Sequence, residues 1–81
     1  MFEDPAFYTS SASEEARAQA RAEVLAESRA QNILIVFEAR GIDVPEAVRE
    51  RVTSCVDLES LRHWLRRAAV VPSADAIFTD D

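Results

Sequence analysis

Between Ser13 and Arg40 the chain interleaves small apolar and charged residues without a single glycine or proline. Alanine, arginine, glutamate and leucine dominate, all strong helix formers, and the stretch predicts one long helix over residues 13–40. Ser11-Ala12-Ser13-Glu14 matches a capping box at its start, and Arg40 followed by Gly41 supplies its stop. Residues 1–12 carry Phe2, Phe7 and Tyr8 among small polar residues without helical period and read as an irregular arm. After the glycine, Asp43-Val44-Pro45-Glu46 opens a second helix over residues 44–54, with Asp43 as its cap and Pro45 in its first turn. Val48, Val52 and Cys55 recur at i, i+4, i+7, the period of one buried helical face. Asp57 caps a third helix over residues 57–70, where Leu58, Leu61, Leu65 and Ala68 repeat that period beside Trp64. Val70-Val71-Pro72 ends it, since the residue before proline is pushed away from the α region. Residues 72–81 form an acidic tail with room for one short helical turn.

The pattern therefore predicts an all-α fold: one long N-terminal helix and two short ones over residues 13–71, as a helical hairpin or three-helix bundle. Lengths add a constraint. At 1.5 Å per residue the first helix runs roughly 40 Å and the others roughly 18–20 Å each. The short helices cover about half of the long one, and the half they claim carries Ile33, Leu34, Val36 and Phe37. The other half, Ala16 to Ala30, offers alanines with Val24 and Leu25. Most helical stability in proteins comes from packing an apolar face, so a second copy of the chain is the expected cover. The bland alternatives are a solvated alanine-rich helix, or one covered by the Phe2–Tyr8 arm. The residues expected to share core and dimer interface are Val24, Leu25, Ile33, Leu34, Val36, Phe37, Leu61, Trp64 and Leu65. Trp64 reads as a core plug or as a surface anchor for a partner.

Size and composition sharpen this. A single core in 81 residues rarely supplies more than ~3–5 kcal/mol, and small domains add disulfides, a metal or oligomerisation. Cys55 is the sole cysteine and His63 the sole histidine, so neither an internal disulfide nor a four-ligand zinc site is open to the chain, and no cofactor is expected. Oligomerisation is what remains. The net charge of −6 argues against a nucleic-acid binder, whose affinity rests largely on neutralising phosphates. All nine basic residues are arginine, which with abundant alanine suggests a GC-rich bacterial genome. The acidic start Met1-Phe2-Glu3-Asp4-Pro5 does not look like a secretory signal, and the longest aliphatic run, Ile33 to Phe37, is far short of a membrane span. The expected location is the cytoplasm.

Candidate chemistry is sparse. Cys55 and His63 invite a nucleophile–base reading, but no orienting carboxylate or oxyanion loop accompanies them, and Cys55 shares the buried period of Val48 and Val52. One glycine cannot build a phosphate-cradling loop. Arg62, His63, Arg66 and Arg67 form the one basic cluster, on the second helix of a helix-turn-helix-like pair. They constitute a possible partner or nucleic-acid face, or a solvated face among Glu46, Glu50, Asp57 and Glu59. Ile77 and Phe78, flanked by acids, read either as a docking segment or as a tail folding back on the core.

The stretch Ile33-Leu34-Ile35-Val36-Phe37-Glu38-Ala39-Arg40-Gly41-Ile42-Asp43-Val44-Pro45, continuing through Val48 to Val52, Asp57 to Leu61 and Trp64-Leu65-Arg66-Arg67-Ala68, resembles a helical tail of many actinobacterial hypothetical proteins. There it often follows a nuclease-like domain of the recombination-promoting nuclease or putative transposase type. The resemblance spans about half the chain. It implies a helical tail with a role in self-association or regulation, and it carries no nuclease activity over, because that domain and its lysines are missing here. The expectation is a non-enzymatic interaction or oligomerisation module: a helical homodimer acting as adaptor or regulatory subunit for an unidentified protein, with no membrane contact. A small nucleic-acid-associated regulator is the alternative.

Overall fold

The computed structural model describes the backbone of residues 5–79 and the side chains of residues 13–79, and over these it is helical without strands. Three helices follow in order: α1 (Pro5–Ala39), α2 (Glu46–Thr53) and α3 (Leu58–Ala68), with a short 3₁₀ turn at Ala74–Phe78. The all-α arrangement of one long and two short helices is the one the hydrophobic period predicts. α1 starts earlier than the capping box suggested. Residues 1–4 of the expected arm lie outside the described residues, but the backbone is helical from Pro5, and proline suits a first helical position because its missing N–H has no partner there anyway. Ser11-Ala12-Ser13-Glu14 consequently lies inside the helix, where its cap pattern has no terminus to serve.

The end of α1 is sharply made. Gly41 takes φ 71°, a conformation that costs a side-chain-bearing residue strain. Its N–H donates to the Glu38 carbonyl at 3.0 Å and the Ile42 N–H reaches back to the Phe37 carbonyl at 2.9 Å, the paired bonds of a Schellman motif. The chain reverses there and lays α2 and α3 along the C-terminal half of α1. Pro45, rather than Asp43, occupies the N-cap position of α2, extended at φ −61°, and its carbonyl accepts the first helical bond from the Arg49 N–H at 3.0 Å. Asp57 is the N-cap of α3 as expected, though its carboxylate accepts from the Ser60 hydroxyl at 2.7 Å instead of from a backbone N–H.

On α1 the buried residues are Ala26, Ala30, Ile33, Leu34 and Phe37, following the i, i+4, i+7, i+11 row that faces one direction on a helix. α2 adds Val48 and Val52, α3 adds Leu61 and Ala68, and Ile33, Phe37, Val52 and Leu61 lose all contact with solvent. Leu58, Trp64, Leu65, Val36 and Cys55 pack half-buried around this centre. The tail completes it: Val71, Ala74 and Ile77 are buried, so the fold-back arrangement is the one adopted and Ile77 is committed to the core. Ile77 consequently leaves the docking segment it was assigned to, buried together with Ala74 of the same short turn. Arginines tie the tail down. Arg40 Nη1 donates to the carbonyls of Ala68 (2.8 Å) and Val71 (2.6 Å), and Arg67 Nη2 donates to that of Ala76 (3.2 Å).

The molecule is long and thin, 63 Å by 22 Å by 18 Å. Among the described residues no helix is long and apolar enough to cross a membrane.

Candidate interaction surface

Three places in the fold hold the residues singled out by sequence. The first is the aromatic corner where the tail meets α3. Phe78 stands edge-on to Trp64, ring centroids 4.9 Å apart at 86°, and the Arg51 guanidinium lies 4.0 Å from the Phe78 centroid and 5.8 Å from that of Trp64. Edge-to-face rings and a cation over a ring face each attract through the ring quadrupole. Trp64 thereby acts as a half-buried packing partner for the tail, and Phe78 as its counterpart.

The second is the basic cluster, which the fold divides. Arg62, His63 and Arg66 share an exposed shallow hollow with Glu59. Arg67, assigned to the same face, is half-buried, and its Nη2 donates to the Ala76 carbonyl at 3.2 Å. Consecutive helical residues differ by about 100°, and that single step separates Arg67 from Arg66. Cys55 does not join His63 either. It is half-buried in the α2–α3 loop, its thiol donating to the Asp57 carbonyl at 3.7 Å. Among the described residues no group of three or more His, Cys, Asp or Glu side chains is placed to hold a metal ion.

The third place is the uncovered part of α1. From Glu14 to Leu25 every residue is exposed except Ala22, which is half-buried. Followed backwards from Ala26, the row that builds the core turns into Ala22, Gln19 and Glu15, so no large apolar residue asks α2 or α3 to extend further. The expected interface set therefore splits. Ile33, Leu34, Phe37 and Leu61 are intramolecular core, while Val24 (64% exposed) and Leu25 (46%) are free and, as neighbours in sequence, point about 100° apart. Val24 lies about 180° around the axis from Ile33, on the side of α1 facing away from α3. Sequence reading missed its companion there. Ile35 is 56% exposed, and eleven residues from Val24 bring it back to within about 20° of the same direction. The helical period alone was sufficient to place it opposite Ile33 and Phe37.

Charge on this part of α1 is laid out in rows of one sign. Arg17 and Arg21 form an i, i+4 pair on one side of Val24, and Glu23 and Glu27 form another on the other side, all four exposed. None of the four has an opposite charge at i±4, and Arg17 alone has one at i±3, in Glu14. Like-charge pairs at this spacing cost an isolated helix about 0.2–0.5 kcal/mol each, the reverse of the arrangement that stabilises a helix standing alone. No family model, curated protein or solved structure matches the chain.

Proposed function

We propose that this protein is a non-catalytic helical interaction module of the cytoplasm, which pairs with a second copy of itself through α1 and works as an adaptor or regulatory subunit. One observation carries the reading: the core takes in α1 only from Ala26 onward, leaving the helix from Glu14 to Leu25 without a covering element among the described residues. Most helical stability in proteins comes from packing an apolar face, and small cores are commonly completed by oligomerisation. A nucleic-acid role is less well supported, since one of its three arginines is engaged with the tail and the remaining two share their hollow with Glu59. Sedimentation velocity over a concentration series tests the proposal. A dimer at tens of micromolar is expected, and a monomer throughout that range overturns it.

A further inference from the structure

We draw no further inference here: the strongest candidate, the hollow between α1 and the α2–α3 loop lined by Ala26, Ala30, Cys55 and the exposed Val56 together with Glu23 and Glu27, is an apolar patch around a lone cysteine, and nothing in the structure shows what covers it.

Discussion

Arg40, one residue beyond the last turn of α1, donates to the carbonyl of Val71 at 2.6 Å. The same nitrogen also reaches the Ala68 carbonyl at 2.8 Å, so one guanidinium holds the end of α1 to the end of α3. Carbonyls at a helix end lack helical partners, and a cation there is favoured by the helix dipole as well as by hydrogen bonding. Arg40→Ala is expected to lower stability by about 1–2 kcal/mol, with Arg40→Lys retaining part of it. Urea unfolding checks this, and an unchanged midpoint in the alanine variant would remove Arg40 from the bundle's support.

Phe37 is the largest side chain fully enclosed by α1, α2 and α3. Phe37→Ala is expected to cost about 3–5 kcal/mol, the usual range for emptying such a site. A core of this size supplies a similar total, so the variant should be largely unfolded at room temperature. Phe37→Leu, losing far less volume, should remain folded with a lowered midpoint. A folded, cooperative alanine variant would contradict the placement of the core.

The tail's contribution can be read through the single tryptophan. Ile77→Ala is expected to destabilise the fold by about 2–5 kcal/mol as a buried deletion. Phe78→Ala should be milder, and should shift Trp64 emission to the red by uncovering the indole that Phe78 abuts. Unchanged emission in Phe78→Ala would mean the aromatic corner is open in solution.

Gly41 offers a clean separation of backbone from packing. A Cβ added there meets nothing within 4 Å, yet the residue holds φ 71°. Gly41→Ala should therefore cost about 1–2 kcal/mol through backbone strain alone. Because the space is open, Gly41→Asn, which tolerates the left-handed region better, should cost less than alanine. Equal losses for the two variants would point away from strain as the cause.

Arg62 and Arg66 are both exposed. Arg62→Ala/Arg66→Ala should change stability by no more than about 0.5 kcal/mol. Titration against duplex DNA at low salt is expected to give no binding difference between this variant and the unmodified chain. Binding lost in the variant would bring back the helix-turn-helix alternative.

What could be read from sequence followed from how local each signal was. Gly41 as the stop of α1, Val48 and Val52 as one face of α2, and Leu61 and Ala68 as the inner face of α3 all rest on period or on a single backbone angle, and each is where it was expected. The start of α1 was not legible, because a capping box is a pattern of residue types that a continuing helix also tolerates. The tail was ambiguous because five residues are too few to show a period. Arg67 was grouped with Arg66, its neighbour in sequence, while a helix sends neighbours about 100° apart, and Ile35 was left out of the core set without being placed on any other face. Grouping by direction instead of proximity separates Arg67 from Arg66 and joins Ile35 to Val24.

The burial boundary at Ala26 means that α1 is one helix covalently and two thermodynamically. Backbone bonds on the C-terminal side of Ala26 open only with the bundle, whereas those near Glu14 open by fraying from the end, at little cost. Heating a dilute sample should therefore lose helical circular dichroism well before Trp64 fluorescence changes, so a single melting temperature would not describe the chain. Raising the protein concentration should draw the two transitions together, to the extent that a second copy turns the frayed half into part of one cooperative unit.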